Sequence, residues 1–173
     1  PYADVHEFAA ELAILHHSLS SHGSLTLARG RLRTLRRAVD VFGFHLASLD
    51  LRQNADVHER TANELIEAAC PGSSYSGLHE NERIALLLAE LATERPISSP
   101  FVPYSPETHS ELAIVRETAK AHVRYGRTAV PNYVISKADS ASDILEVAFL
   151  LKEAGLLRPR ESRLHVNIVP LFE

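Results

Sequence analysis

Val130-Pro-Asn-Tyr-Val-Ile-Ser-Lys-Ala-Asp-Ser-Ala-Ser-Asp-Ile-Leu145 contains a strand, a turn and the start of a helix. The side chains of residues 130–137 alternate between two faces, which is the period of a strand. Ser140 and Asp143 have the spacing of a capping box, so the sequence predicts a helix that begins directly after the turn and stops near Gly155. A strand followed at once by a helix is typical of α/β proteins with parallel strands.

Two further strands are predicted, one on each side of this unit. The segment Val41–Asn54 alternates and brings Arg52 to its exit, and the segment His165–Glu173 alternates and ends on Glu173. The carboxyl ends of parallel strands meet at one edge of a sheet, where α/β proteins hold their ligands. Arg52 and Glu173 are therefore candidate site residues.

Arg52 has the chemistry of an anion clamp. A guanidinium holds phosphate or carboxylate through a planar, bidentate fork, and the neighbouring Asp50 carboxylate could keep that fork oriented. The alternative is a purely structural ion pair between Asp50 and Arg52 at the end of a strand. Ser136 lies at the exit of the second strand and is a weaker substrate-binding candidate, as is the adjacent Lys137.

Helices are predicted before and between the strands, from apolar spacing and capping signals. One begins near Val5 and ends at Ser18 to Gly23; a second runs from about Ser24 to Asp40. Asp56 and Glu59 have the spacing of an acidic capping box, which predicts a helix to Ala69. Further helices are predicted around residues 84–91 and from Ser105-Pro106 to Gly126, separated by a proline-rich connection over residues 96–106.

The composition is that of a globular enzyme segment. The chain has 173 residues, of which 45% are hydrophobic, and it contains no apolar run long enough to span a membrane. Its net charge of -4 argues against a nucleic-acid partner. The single cysteine, Cys70, cannot form an internal disulfide and favours a reducing compartment, so we expect a cytoplasmic protein. The chain starts at Pro1 and has no Met, which suggests an internal fragment.

A cluster of arginines stands out against this acidic background. On a helix most of its members share one side, by spacings of three and four residues. A solvated helix face is one interpretation, and a site for an anionic effector or an acidic neighbouring subunit is the other. The cluster comprises Arg29, Arg31, Arg33, Arg36 and Arg37.

Three blocks in the same order resemble bacterial phosphoenolpyruvate carboxylase: Phe42–Gln53, Val130–Leu145 and Ile168–Glu173. The resemblance implies an α/β fold that is part of a (β/α)8 TIM-type barrel, with about three parallel strands and many helices, preceded by two helices. Residues 1–40 would be the leading helices and residues 41–173 the first strands and helices of the barrel, with residues 71–129 as a helical excursion, all within one larger domain.

The same resemblance implies the activity and the site. The parent enzyme would carboxylate phosphoenolpyruvate with bicarbonate to oxaloacetate and phosphate, as a homotetramer. Arg52 would contact the phosphate of phosphoenolpyruvate, and Glu173 would be one of two carboxylate ligands of Mg²⁺ or Mn²⁺. The catalytic histidine would lie before Pro1, and the second metal carboxylate and a glycine-rich mobile loop beyond Glu173. We therefore expect the fragment alone to be inactive.

Two alternatives to this function stay open. One is another metal-dependent lyase barrel that acts on phosphoenolpyruvate or pyruvate, which would be distinguished by whether the gene supplies the second carboxylate and the histidine. The other is a non-catalytic helical scaffold or effector-binding region whose working surface is the arginine cluster. A phosphorylated sugar that raises the melting temperature would favour the second.

Overall fold

The computed structural model describes residues 2–172. Its strands are, in chain order, β1 (Leu51–Asn54), β2 (Asn132–Ser136), β3 (Leu157–Arg158), β4 (Arg163–Leu164) and β5 (Asn167–Pro170). Its α-helices are α1 (Val5–Ser21), α2 (Leu25–Ala28), α3 (Arg31–Phe42), α4 (Ala55–Ala69), α5 (Glu80–Leu91), α6 (Pro106–Tyr125) and α7 (Ala141–Glu153). Short 3₁₀ turns cover Arg127–Ala129 and Pro159–Glu161.

A sheet of three parallel strands positions the site. Its spatial order is β1-β2-β5, with β2 in the centre. Val134 of β2 pairs with Arg52 of β1 on one side and with Val169 of β5 on the other. The predicted three parallel strands are therefore confirmed. Sequential parallel strands with helical connections occur in barrels and in open sheets alike, so the TIM-type barrel stays a prediction.

Helices connect the strands as the sequence predicts. Three helices, α4, α5 and α6, lie between β1 and β2, and α7 connects β2 to the last strand. Ser105 caps α6 by accepting a hydrogen bond from the backbone of Thr108, with Pro106 in the first turn. The predicted capping box of Ser140 and Asp143 is present at the start of α7. Within residues 2–172, no helix is long and apolar enough to cross a membrane.

The single helix predicted from Ser24 to Asp40 is wrong at its centre. The structure has two helices there, α2 and α3, separated by Arg29 and Gly30. Gly30 has a non-helical ψ of -130° and serves as the N-cap of α3. Glycine inside a helix is unfavourable by roughly 0.5–1 kcal/mol relative to alanine, so the break occurs at this residue. The strands are thus preceded by three helices instead of two, and the third continues past Asp40 to Phe42.

The strand predicted over Val41–Asn54 is observed only at its end, Leu51–Asn54. Helix α3 takes the first residues, and Gly43 ends it with a φ of 56°, a conformation that favours glycine. The alternating apolar side chains that predicted the longer strand are exposed. Leu46 and Leu49 are 85% and 67% exposed.

One local prediction also needs correction. Asp56 does not begin α4 as a capping residue, because β1 runs directly into the helix and Asn54 occupies the N-cap. The Asp56 carboxylate lies in the first turn and accepts a hydrogen bond from Arg60 at 2.7 Å instead. Between α7 and β5 the structure also contains β3, which pairs antiparallel with β4. The sequence did not predict this hairpin, because its strands are only two residues long.

The core lies between one face of the three-stranded sheet and helices α4 to α7. Helix α7 is central to it and contacts α4, α5 and α6. Burial of these apolar side chains stabilises the fold in proportion to the area removed from water. The largest fully buried apolar residues are Leu65, Tyr75, Leu87, Leu112, Tyr133, Ile135, Phe149, Leu150 and Leu151.

Candidate functional site

The sheet edge brings two of the predicted residues into contact. Arg52 and Ser136 lie on neighbouring strands, and the Arg52 Nε donates a hydrogen bond to the Ser136 Oγ at 2.8 Å. The register explains this contact, since Arg52 pairs with Val134 and its side chain extends along the sheet to the next residue on the same face of β2. Ser136 is 5% exposed, whereas Arg52 lies on the accessible face of the sheet.

Asp50 does not orient Arg52 in the way its position suggests. Its Oδ1 accepts a hydrogen bond from Asn132 Nδ2 at 2.9 Å, and Asn132 Oδ1 accepts one from Asn167 Nδ2 at 3.0 Å. These three side chains form a polar row across the sheet, at the amino-terminal side of Arg52. Within residues 2–172 the alternative of an Asp50–Arg52 ion pair is therefore not observed.

The residue after Ser136 has an unusual backbone. Lys137 has a φ of 56°, in the left-handed region that non-glycine residues seldom adopt. Its side chain is exposed. The Arg60 hydrogen bond is the main cause that lowers the pKa of Asp56, and the Lys137 charge adds a smaller effect in the same direction. Lys137 thus contributes positive charge near the start of α4, beside the exit of β1.

The prediction that Glu173 is a metal ligand lies outside the described residues. Leu171, the nearest hydrogen-bonded residue before it, accepts from Ala138 N at 3.1 Å and donates to Ile135 O at 2.8 Å. The chain after β5 therefore stays beside the carboxyl end of β2 as far as Leu171. Carboxylates are the side chains that hard divalent cations prefer. Among residues 2–172 no cluster of three His, Cys, Asp or Glu side chains could hold a metal, and the Mg²⁺ or Mn²⁺ site stays a prediction.

A buried polar network lies behind the site, on the opposite face of the sheet. Gln53 Nε2 donates to Glu111 Oε1 at 2.9 Å, which ties β1 to α6. His58 Nε2 lies 3.0 Å from the Tyr133 hydroxyl, which ties α4 to β2. Burial lowers the pKa of His58 to about 4, and burial followed by the Glu111 carboxylate raises the pKa of Tyr133. His58 is therefore neutral at pH 7, and this network holds the strand that carries Arg52.

A second buried group, Glu146 on α7, was not identified from the sequence. It is fully buried and accepts a hydrogen bond from the Tyr75 hydroxyl at 2.7 Å. Burial is the main cause that raises its pKa to about 8. Glutamate in the middle of an amphipathic helix normally faces solvent, so no pattern in the sequence marks this residue as buried.

The predicted arginine cluster follows α2 and occupies α3. All five side chains are exposed or partly exposed, and none forms an ion pair with another residue of the described range 2–172. The cluster is therefore a positively charged surface separate from the sheet edge. Whether it binds an anionic effector stays a prediction.

Comparison with known proteins gives a consistent result over the whole chain. The model of a family described as phosphoenolpyruvate carboxylase matches residues 1–173. The chain is 62% identical over 173 residues to a phosphoenolpyruvate carboxylase of Azoarcus sp., 60% identical to that of Aromatoleum aromaticum and 58% identical to that of Azorhizobium caulinodans. Each match covers 100% of this chain but only 18–19% of the relative, so the chain spans about a fifth of the length of these curated relatives.

Proposed function

We propose, because this chain belongs to the phosphoenolpyruvate carboxylase family, that it supplies part of the active site of an enzyme that carboxylates phosphoenolpyruvate with bicarbonate. The products would be oxaloacetate and phosphate. The observation that carries the proposal is the position of Arg52, which lies on the accessible face of β1 and donates a hydrogen bond to Ser136 at the carboxyl end of β2. Ligands of α/β sheets bind at this edge.

Arg52 is suited to the phosphate of phosphoenolpyruvate. Its guanidinium is permanently charged and can form two parallel hydrogen bonds to phosphate oxygens. As phosphate separates from the substrate, negative charge increases on its oxygens, and a fixed cation stabilises that charge. Lys137, exposed at the neighbouring strand end, adds positive potential on the same edge.

Glu173 is proposed as a ligand of Mg²⁺ or Mn²⁺. Such a cation would stabilise negative charge on the enolate oxygen as the bond between that oxygen and phosphorus is broken. One carboxylate does not complete a divalent cation site, because Mg²⁺ requires near-octahedral oxygen ligands. The remaining ligands would come from other parts of the enzyme.

The role of Arg52 is tested by Arg52→Lys in a full-length enzyme that contains this segment. Lysine keeps the charge but loses the bidentate fork, so we expect kcat to fall roughly 10²-fold to 10³-fold, as for removal of other contacts to transition-state charge. Arg116→Lys is a matched control, because Arg116 is an exposed residue on α6 that contacts Ser98 at 3.3 Å. Kinetics close to wild type for Arg52→Lys would indicate that Arg52 has a structural role only.

The role of Glu173 is tested by Glu173→Gln in the same enzyme. Glutamine keeps the shape but loses the charge, so activity should fall and the manganese concentration needed for half-maximal activity should rise steeply. The melting temperature without metal should stay the same, since a metal ligand contributes little to the fold without its metal. Superimposable manganese titrations of the two proteins would exclude Glu173 from the site.

One observation favours a second function for the same chain. The arginine cluster of α3 lacks ion-pair partners within residues 2–172 and could hold an anionic effector. A phosphorylated sugar should then raise the melting temperature of the chain, and Arg33→Gln combined with Arg37→Gln should abolish the shift. An equal shift of the melting temperature in the variant would indicate that the cluster is a solvated helix face.

A further inference from the structure

We propose that Ser136 is a positioning residue that fixes the Arg52 guanidinium for end-on binding of a phosphate group. The proposal rests on the proposed role of Arg52 and adds the group that orients it. Its starting point is the hydrogen bond from Arg52 Nε to Ser136 Oγ, at 2.8 Å, which joins two neighbouring strands at the sheet edge.

The contact selects one mode of binding. A guanidinium can present two forks to an oxyanion, a side-on fork made of Nε and one terminal nitrogen, or an end-on fork made of both terminal nitrogens. Because Ser136 accepts from Nε, the side-on fork is closed, and a bidentate contact to phosphate would use the end-on fork. The hydrogen bond to Nε also removes part of the rotamer freedom of the arginine side chain before substrate binds.

Ser136 is itself held in place. Leu171 of the segment after β5 donates to Ile135 O at 2.8 Å and accepts from Ala138 N at 3.1 Å, so backbone hydrogen bonds fix the chain on both sides of Ser136. Between them Lys137 adopts a φ of 56°, which turns the chain sharply after Ser136. At 5% exposure, Ser136 is a buried support beneath a more accessible arginine.

This arrangement differs from direct contact between Ser136 and the substrate, the role that the sequence suggested. A hydroxyl that is nearly inaccessible and already hydrogen bonded to a guanidinium is better placed to orient that cation than to reach a ligand. The two roles predict different results when Arg52 is also changed, because lysine has no Nε–H for Ser136 to accept.

The test is a double-mutant cycle in a full-length enzyme that contains this segment, with Ser136→Ala and Arg52→Lys singly and together. We expect Ser136→Ala to raise the KM for phosphoenolpyruvate about tenfold and to leave the KM for bicarbonate unchanged, since small displacements of a binding group cost up to roughly 10²-fold. Ser136→Thr, which keeps the hydroxyl, should have a KM for phosphoenolpyruvate close to that of wild type. In the Arg52→Lys background, Ser136→Ala should have no further effect.

Ser142→Ala is the matched control for loss of a buried serine hydroxyl. Ser142 is fully buried, and its Oγ donates to Glu80 at 2.8 Å, away from Arg52. Its variant should lower the melting temperature and leave both KM values unchanged. The positioning role is overturned if Ser136→Ala leaves the KM for phosphoenolpyruvate unchanged, or if its effect persists in full beside Arg52→Lys, which would indicate direct contact with substrate. Wild-type kinetics of Arg52→Lys would overturn the proposed role of Arg52 itself and the positioning role with it.

Discussion

Glu146 illustrates, at the scale of a single residue, how burial decides protonation. Its pKa of about 8 means that the carboxyl is mostly protonated at pH 7. Burial is the largest cause, and the nearby Asp143 and Glu59 carboxylates raise the pKa further. Tyr75 and Arg83 act in the opposite direction but do not compensate, so a neutral carboxylic acid lies in the core beneath α7.

We predict that this group makes the folded chain less stable at high pH. Because the pKa of Glu146 is raised from 4.5 to about 8 on folding, its stabilisation is fully present below pH 4.5 and is lost as pH rises towards 8. The loss amounts to up to about 1.4 kcal/mol per pH unit. Glu146→Gln, which mimics the neutral carboxyl, should flatten this dependence and be more stable than wild type at pH 9, as measured by the urea midpoint.

The pKa of His58 is shifted in the opposite direction, so His58 confines the predicted loss of stability to alkaline pH. Its pKa is lowered from 6.5 to about 4, so its stabilisation is present above pH 6.5 and is lost as pH falls towards 4. The two slopes oppose each other between pH 4.5 and 6.5, so the decline should become visible only above pH 6.5. An identical decline in Glu146→Gln would show that another group is responsible.

Sequence reasoning succeeded for residues at strand exits and failed for residues in the core. Arg52 and Ser136 were identifiable because alternation predicts strands that carry them, and the structure brings their side chains together across adjacent strands. Glu146 and His58 were not identifiable, because their burial depends on partners far away in the sequence, Tyr75 and Tyr133. The apolar stripe of a helix indicates its buried face, but not which polar residues will also be covered.

Helix α6 shows the same division at the scale of an element. Its start was predictable, because Ser105 and Pro106 are strong local signals for the first turn. What anchors that start is Glu64 on α4, which accepts hydrogen bonds from the Ser105 backbone, the Ser105 hydroxyl and the Thr108 hydroxyl. Burial would raise the pKa of Glu64, but the hydrogen bonds from Ser105 and Thr108 outweigh it and hold the pKa below its ordinary value.

We predict that Glu64→Ala destabilises the chain by about 2 kcal/mol, because hydrogen bonds to a charged acceptor contribute strongly and three donors lose their partner. Urea unfolding at pH 7 measures the loss. Glu117→Ala is the control, since Glu117 is an exposed residue of α6 whose ion pair with Lys120 contributes little. Equal unfolding midpoints for the two variants would mean that Glu64 does not anchor α6.

The elements that were mispredicted have two physical causes. Local periodicity gave one long helix before Asp40 and a long strand after Val41, but Gly30 and Gly43 break the chain at both places. The β3–β4 hairpin was missed because its strands of two residues are too short to show a period. Helix caps with a clear side-chain signal, such as Ser105 and Ser140, were placed correctly.

At the scale of the whole molecule, the helices of residues 2–172 cover one face of the sheet. Helices pack against the face that carries Tyr133 and Ile135, which are 1% and 0% exposed. The other face carries Arg52 and the polar row of Asp50, Asn132 and Asn167. A sheet with one polar, accessible face presents its site residues to whatever packs above it, so the described chain supplies a wall of the proposed site.

We predict from this arrangement that the 173-residue chain alone does not make oxaloacetate. It covers 19% of the length of its Azoarcus sp. relative, and within residues 2–172 no group of three His, Cys, Asp or Glu side chains could hold a metal ion. Charge stabilisation by Arg52 alone would not replace the metal and proton-transfer groups of the proposed reaction, because such groups act together and lose most of their effect singly. An assay that couples oxaloacetate to oxidation of a reduced nicotinamide should show the buffer rate at any manganese concentration, while the full-length enzyme assayed beside it turns over. Turnover by the chain that survives further purification and is lost in Arg52→Lys would show instead that the residues of this segment are sufficient for the reaction.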